Sequence, residues 1–284
     1  MPSSPFYAFY GHHKCATMWW NRIIANACKK TGLKFRAVYD ERGFDGDLKR
    51  FIDDQQINFI SHGNADIQHI AGLGDHRGVH IIRDPRDIAV SAYFSHLHSH
   101  SVKEWSELED YREKLRGMSK EDGLAIEIEN RKTEFGQLES WDYDQPNVLE
   151  IRFEDMANSS YDLILRAFQH YGMVGESNNS VARRIRELLL DITATLAGSA
   201  GRSIMRRLRN DKLSGAELLG LAWRFRFQSL AGGRQQGDED VTNHFRKGRP
   251  GDWVNHFTND HKTLFKELYP DLLINIGYEN SNGW

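Results

Sequence analysis

Short apolar segments of strand length alternate with helix-length segments along the N-terminal half of the chain, and this alternation restricts the possible folds most strongly. The strand-like segments are PFYAFY at 5–10, INFIS at 57–61, GVHIIRDP at 78–85 and NVLEIRF at 147–153. None of them alternates cleanly between apolar and polar residues, which is typical of strands covered by helices on both faces of a parallel sheet. The pattern therefore predicts an α/β fold with a doubly wound parallel sheet flanked by helices.

Helix signals lie between and after these strands. A helix is predicted to begin at Thr17 and to end before Gly32, and another begins near Ser119, where Ser119 and Asp122 have capping-box spacing. The chain after the last predicted strand is almost entirely helical until it reaches a C-terminal segment. We predict that the whole chain forms one domain and that residues 176–236 are a helical insertion, or lid, before that segment.

The composition excludes several classes of protein. With a formal charge of −3, the chain lacks the basic balance of nucleic-acid-binding proteins, so any anion site must be local. Its cysteines, Cys15 and Cys28, are too few for a disulfide framework. No apolar run is long enough to span a membrane, and the N-terminus lacks the apolar core of a signal peptide. We therefore expect a cytoplasmic protein with no nucleic-acid or membrane partner.

The stretch FYGHHKCATMWW places Lys14 in the loop between the first strand and the first helix. Backbone N–H groups at such a junction favour a bound anion, and a lysine adds a full positive charge. Lys14 and Thr17 are therefore candidate phosphate ligands. The loop is not a Walker loop, because Lys14 is preceded by His13 and followed by Cys15. It also lacks the C-x₅-R spacing of a cysteine phosphatase, because one residue too many separates Cys15 from Arg22.

Two later segments carry further candidate phosphate ligands. RDPRDIAVSAY puts Arg83 at the end of a predicted strand and Ser91 two turns into the next helix, where a guanidinium and a hydroxyl can bind phosphate. FRKGRPGDW forms a compact cationic turn from Arg246, Lys247 and Gly248. Three separate anion-binding segments suggest one dianionic nucleotide.

With these three segments the chain resembles the cytosolic sulfotransferases that use 3′-phosphoadenosine-5′-phosphosulfate (PAPS) and release 3′-phosphoadenosine 5′-phosphate (PAP). HKCATMW is similar to the family's 5′-phosphosulfate loop, P-K-[SC]-[GA]-T-[TS]-W, and RDPRDIAVS is similar to its 3′-phosphate segment, R-[ND]-P-[KR]-D-x-x-V-S. RKGRPGDW matches the family's R-K-G-x-x-G-D-W in full. EIRFEDM resembles the family's Y-E-D-[LM] strand end, with Phe153 in place of the tyrosine.

The resemblance implies a P-loop-like version of the predicted sheet and a sulfuryl transferase that needs PAPS but no metal. Lys14, with the loop backbone, is implied to hold the phosphosulfate and to stabilise charge on the leaving phosphate oxygen, and Trp19 is implied to lie near the adenine. The residues implied to bind the donor are Lys14, Cys15, Ala16, Thr17, Met18, Trp19, Arg83, Ser91, Phe153, Arg246, Lys247 and Gly248.

The resemblance also implies a general base. His62, in ISHGN, precedes Arg83 at the spacing of the family's catalytic histidine, so we predict that His62 takes the acceptor proton. The family's lysine two residues before this histidine is Ile60 here, which removes one contact to the transferring sulfonate. Some carbohydrate-acting relatives instead use a glutamate soon after the first helix, so Asp40 or Glu41 is the alternative base.

Other conspicuous residues are predicted to have no catalytic role. His96, His98 and His100 recur at every second position, so neighbouring members point about 200° apart on a helix and do not predict a metal site. A thiolate at Cys15 would repel the incoming phosphosulfate, so Cys15 is predicted to be a small neutral filler.

The acceptor is expected to be a hydroxyl or an amine, on a small molecule or tethered to a carrier. Basic residues in the predicted insertion are candidates for binding an acidic substrate or an acyl carrier: Arg202, Arg206, Arg207, Arg209 and Lys212. Two other classes remain open, a magnesium-dependent small-molecule kinase or NTPase and a non-catalytic PAP sensor. Val254 and Asn259 depart from the family's dimer segment, which leaves the oligomeric state open.

Overall fold

A computed structural model of the chain describes residues 6–102, 105–175 and 212–284. At its centre is a sheet of five strands in the order β2-β3-β1-β4-β5, and neighbouring strands are parallel. The strands are β1 (Tyr7–Tyr10), β2 (Phe35–Val38), β3 (Phe59–His62), β4 (Arg77–Ile82) and β5 (Val148–Arg152). Helices flank the sheet, so the predicted α/β class is confirmed.

Helices connect these strands and continue after β5. In the described part of the chain they are α1 (Thr17–Thr31), α2 (Leu48–Gln55), α3 (Ile67–Ile70), α4 (Pro85–Phe94), α5 (Leu108–Arg116), α6 (Lys120–Glu129), α7 (Lys132–Glu139), α8 (Phe153–His170), α9 (Gly215–Arg224), α10 (Phe227–Leu230), α11 (Asn259–Leu268) and α12 (Leu272–Asn275). Short 3₁₀ segments span Glu41–Gly43 and Asp252–Asn255, and a π-helical turn, Ser95–Ser99, extends α4. Within the described ranges, no helix is both long and apolar enough to span a membrane.

Local sequence sets the ends of two predicted helices. α1 ends before Gly32, whose φ of 78° lies in the left-handed region that glycine adopts without a steric cost. α6 begins after Ser119, whose hydroxyl accepts the backbone N–H of Asp122 at 3.1 Å. Both boundaries agree with the sequence prediction.

Two elements differ from the sequence prediction. The third predicted strand ran to Pro85, but β4 ends at Ile82, and Pro85 opens α4 with Asp84 as its capping residue. β2 was not predicted at all. It lies at the edge of the sheet and buries only Val38, so it carries no apolar run that would mark it as a strand.

Both faces of β1 are buried. Tyr7 and Phe9 belong to a core cluster that includes Trp20 of α1, whereas Ala8 and Tyr10 belong to a second cluster. Because successive side chains of a strand point to opposite faces, the two clusters cover the two sides of the sheet. A strand buried on both faces has no polar face, which explains the continuous apolar stretch in the sequence.

The carboxyl ends of the central strands meet at one edge of the sheet. Tyr10 of β1 pairs with His62 of β3 and with His80 of β4, and Val38 of β2 also pairs with His62. The loops that follow these strands therefore emerge side by side, at the edge where ligands bind in open parallel sheets.

The predicted insertion is described only in part. Residues 176–211, which include all of its candidate carrier-binding arginines, lie outside the described residues. The described part contains α9, which begins with a capping box of Ser214 and Glu217 and packs against α1 and α8. The role of the insertion as an acceptor lid stays a prediction.

Candidate active site

The β1–α1 loop holds Lys14 in an unusual backbone conformation. Lys14 and Ala16 have φ values of 63° and 60°, in the left-handed region that residues other than glycine rarely adopt. The carbonyl of His12 holds the loop by accepting the N–H of Cys15 and the hydroxyl of Thr17, both at 3.1 Å. Such a conformation costs on the order of 1–3 kcal/mol per residue and is enriched at binding and catalytic sites, although Asp45 and Gln56 also adopt it here.

Positive charge is concentrated around Lys14. Burial, together with repulsion from Arg83, Arg131 and Arg246, lowers the pKa of the Lys14 ammonium group to about 7, although Glu127 opposes the shift. These neighbours come from separate segments of the chain, and only Arg83 and Arg246 were among the predicted donor ligands. An anion bound here would favour the charged lysine, so the site suits a phosphate or sulfate ester.

Arg83 joins the first two predicted segments. Its NH1 group donates to the carbonyl oxygen of Lys14 at 3.1 Å, and its guanidinium lies 4.4 Å from the ring centre of Phe153. Its NH2 group is 3.7 Å from the Asp87 carboxylate. The remaining donor, Nε, is buried without a hydrogen-bond partner among the described residues. Arg83 is thus fixed in place with a donor left for a ligand.

Arg246 and Lys247, of the third predicted segment, are paired with a carboxylate. Both donate to Asp252, with Arg246 NH2 at 2.6 Å from the carboxylate. Burial would raise the pKa of Asp252, but hydrogen bonds from these cations and from other neighbours outweigh it and hold the pKa below its usual range. The Arg246 guanidinium also covers the Phe94 ring at 4.6 Å, one helical turn after the half-buried Ser91. Ser91 and Arg246 therefore lie in the same region, and their binding of a 3′-phosphate stays a prediction.

Asp87 fastens the third segment to α4. Its buried carboxylate accepts the backbone N–H groups of Gly251 at 2.7 Å and Trp253 at 2.9 Å. One residue earlier, the Arg86 guanidinium is stacked against the rings of Trp253 and Trp284, at 3.9 and 4.6 Å. Neither Asp87 nor Arg86 was among the predicted site residues. Their contacts join RDPRD to RKGRPGDW.

Position 248 requires a glycine because of its backbone conformation and because of a neighbouring ring. Its φ of 68° is left-handed, and a Cβ atom would lie 2.5 Å from the ring of Phe227 in α10. Both features exclude larger residues, so the glycine in the RKG turn lets the chain pass directly against α10.

His62 is the last residue of β3 and is fully buried. Its Nε2 atom lies 3.2 Å from Nδ1 of His69, whose ring is stacked on it, and its Nδ1 atom has no partner among the described residues. Burial lowers the pKa of His62 to about 4, with a further contribution from His69. The ring is therefore neutral at physiological pH, the form that a general base requires.

The alternative carboxylate bases lie at the start of the short segment after β2, because Asp40 immediately precedes Glu41–Gly43 and Glu41 is its first residue. The Asp40 side chain caps this segment and pairs with the Arg42 guanidinium at 2.7 Å. A hydrogen bond from Arg42 lowers the pKa of Asp40, which makes it a weaker base. Glu41 is exposed to solvent.

Other residues of the HKCATMW segment differ in burial and in their contacts. Cys15 is fully buried and burial raises the pKa of its thiol to about 12, as suits a neutral filler rather than a nucleophile. Trp19 Nε1 donates to the carbonyl of Phe225 at the end of α9, at 2.6 Å. Met18 is exposed.

The prediction that His96, His98 and His100 do not converge was wrong for one pair. His96 and His100 are four residues apart, so they share a side of the turn, and both contact the ring of His13 in the β1–α1 loop. His98 is exposed. Nitrogen atoms of His13, His96 and His100 lie within 4.8 Å of one another, a spacing that a metal ion could bridge. However, Arg131 donates to Nδ1 of His13, which leaves the proton on Nε2 and makes this histidine a poor ligand.

A buried hydrogen-bonded network, which was not predicted from the sequence, contacts the β1–α1 loop at His12. His80 Nε2 lies 2.8 Å from His12 Nε2, and His80 Nδ1 lies 2.6 Å from the Glu150 carboxylate, which also accepts from Trp141. Burial raises the pKa of Glu150 to about 8 and lowers the pKa values of both histidines. The contacts depend on β1 lying beside β4 and on β4 lying beside β5, which sequence spacing does not show.

No protein-family model and no curated protein matches the chain. Among solved structures, it is similar to mouse sulfotransferase SULT7A1 complexed with PAP, at 16% identity and a TM-score of 0.49 over 95% of this chain and 85% of that chain. It is also similar to retinol dehydratase with androsterone and inactive cofactor PAP, at 16% identity and a TM-score of 0.46 over 96% and 82%. A complex of retinol dehydratase with retinol and PAP gives 16% identity and a TM-score of 0.45 over 96% and 82%. Similarity at this level carries no information about the reaction.

Proposed function

We propose that the protein transfers a sulfuryl group from PAPS to a hydroxyl or amine acceptor and releases PAP. The observation that carries this proposal is the direct contact between the segments that resemble the family's donor site. Arg83 hydrogen-bonds the Lys14 carbonyl, and Asp87 holds the backbone of Gly251 and Trp253. The unpartnered Nε of Arg83 is a donor that the 3′-phosphate of the nucleotide would satisfy.

In this proposal, different residues bind different groups of the donor nucleotide. Lys14 and the loop N–H groups hold the 5′-phosphosulfate, and Lys14 stabilises the charge that develops on the leaving phosphate oxygen. Arg83, Ser91, Arg246, Lys247 and Gly248 hold the 3′-phosphate. The pairing of Arg246 and Lys247 with Asp252 fixes their geometry before the nucleotide binds. No metal is needed in this scheme, because these cations and backbone dipoles supply the positive charge.

The acceptor attacks sulfur in line with the leaving oxygen, and His62 takes its proton. The neutral ring of His62, at the carboxyl edge of β3, supports this role. General-base catalysis of this kind contributes about 10²–10⁴ in rate. The acceptor itself is either a small molecule or a group tethered to a carrier.

Two measurements test the proposal. Calorimetry should show that PAP binds much more tightly than adenosine monophosphate, because Arg83 loses charge-assisted hydrogen bonds of about 1.5–3 kcal/mol each when the 3′-phosphate is missing. Labelled sulfate from PAPS should then be transferred to at least one member of a library of alcohols, phenols and amines. Equal affinity for the two nucleotides would refute the donor assignment.

A non-catalytic PAP- or PAPS-binding role is the second candidate. The full burial of His62, with Nε2 against His69, favours it, because a base must reach its substrate. Tight PAP binding without transfer to any acceptor would favour this role, whereas magnesium-dependent ATP turnover would indicate a kinase or NTPase instead.

A further inference from the structure

Arg131 carries a second buried guanidinium that contacts the β1–α1 loop. It contacts His13, the residue that precedes Lys14. Arg131, between α6 and α7, is 6% exposed, and its NH1 group lies 3.2 Å from Nδ1 of His13. Its Nε atom is buried and has no hydrogen-bond partner in the described part of the chain. Arg131 therefore resembles Arg83, which also contacts this loop and also keeps a buried donor unpaired.

Two carboxylates hold Arg131 without satisfying all its donors. Glu134 accepts from NH1 at 2.8 Å, whereas Glu127 is 3.7 Å from NH2, which is too long for a hydrogen bond. Glu127 is itself fixed by Nδ1 of His96 at 2.7 Å and by the hydroxyl of Tyr111 at 2.8 Å. The guanidinium is thus fixed in position by protein contacts, and a buried donor left unpaired is what a ligand oxygen would satisfy.

The point at which Arg131 contacts the loop indicates which group of the ligand it would bind. Arg83 contacts the loop at the Lys14 carbonyl, and we assigned it to the 3′-phosphate. Arg131 contacts the loop at the ring of His13, on the N-terminal side of Lys14, and its charge, like those of Arg83 and Arg246, repels the Lys14 ammonium group. In the proposed donor, the group beyond the 5′-phosphate is the sulfuryl group, an anion with oxygens that need hydrogen-bond donors.

We propose that Arg131 binds the sulfuryl group of the donor and holds it while it is transferred. This assignment rests on the proposed function and adds a residue to it. A lone pair of the acceptor forms the new bond to sulfur, and the bond from sulfur to the 5′-phosphate oxygen breaks with its electron pair moving to that oxygen. The acceptor proton passes to His62. Arg131 stays charged throughout and donates hydrogen bonds to the sulfuryl oxygens.

The experiment compares two nucleotides that differ only in the sulfuryl group. Arg131→Gln should weaken PAPS binding by about 10- to 100-fold, because charge-assisted hydrogen bonds to that group are lost, and should change PAP affinity by less than about twofold. Lys132→Gln is the matched control, because Lys132 is the adjacent residue, carries the same charge and is exposed. It should leave both affinities unchanged. Binding is measured calorimetrically without an acceptor.

A second variant guards against loss of the fold. Arg131→Gln leaves the buried Glu127 with one cation fewer, so the double variant Arg131→Gln, Glu127→Gln removes both charges and should show the same loss for PAPS alone. Equal weakening of PAP and PAPS, or wild-type affinity for PAPS in both variants, overturns the assignment. Failure of the wild-type protein to bind PAP would instead refute the proposed function as a whole.

Discussion

Binding of PAP at pH 8 is expected to take up a proton at Lys14. Burial, together with repulsion from Arg83, lowers the pKa of Lys14 to about 7. At pH 8 only about a tenth of the molecules would then carry the charged lysine. A phosphate group within about 4–6 Å favours the charged form and raises the pKa again. Because free PAP is already fully ionised at this pH, with phosphate pKa values near 6, the uptake belongs to the protein and should approach about 0.9 proton per nucleotide.

Calorimetry in buffers of different ionisation enthalpy measures this uptake, because the slope of observed heat against buffer enthalpy is the number of protons exchanged. Lys14→Met is the control, and its slope should fall close to zero even where some nucleotide still binds. A wild-type slope near zero at pH 8 would refute the reasoning, as would an unchanged slope in the Lys14→Met variant. The first result would mean that Lys14 is already charged in the free protein, and the second that another group titrates.

Three further predictions concern the base, the RKG turn and the link between segments. His62→Ala should leave PAP affinity unchanged and slow single-turnover transfer by about 10²-fold or more, with Glu41→Gln near wild type. Because burial lowers the pKa of His62 to about 4, the rate per bound donor should stay level down to about pH 5, and a fall centred near pH 6.5 would contradict this. Gly248→Ala should lower the free energy of unfolding by more than Gly232→Ala, because both sites have left-handed φ values but only Gly248 faces a ring at 2.5 Å, and thermal melting compares them. Asp87→Asn should cost about 1–3 kcal/mol of stability in denaturant unfolding and weaken PAP binding, and wild-type affinity would show that the segments are not coupled.

Much of the framework could be predicted from the sequence because it depends on local residues. Apolar strands without a polar face indicated a sheet that is covered on both sides. The burial of both faces of β1 confirms this prediction for that strand. Gly32 and Ser119 marked helix ends through their own backbone and hydroxyl chemistry. The candidate donor segments were also visible, since each is a short continuous motif. β2 was missed because an edge strand with one buried residue has no apolar run.

The tertiary structure decided which distant residues meet, because that depends on the order of parallel strands and the direction of helix packing. Asp87 can link two segments only because α4 packs against the backbone of Gly251 and Trp253, whose N–H groups it accepts. Arg131 and Glu127 carry no motif, yet the end of α6 brings them to the β1–α1 loop. The same packing partly buries Lys14 among like charges, and both effects lower its pKa. Shifted pKa values, burial and unpaired donors depend on the distances between residues that are far apart in the chain. The sequence lists these residues but does not give the distances between them.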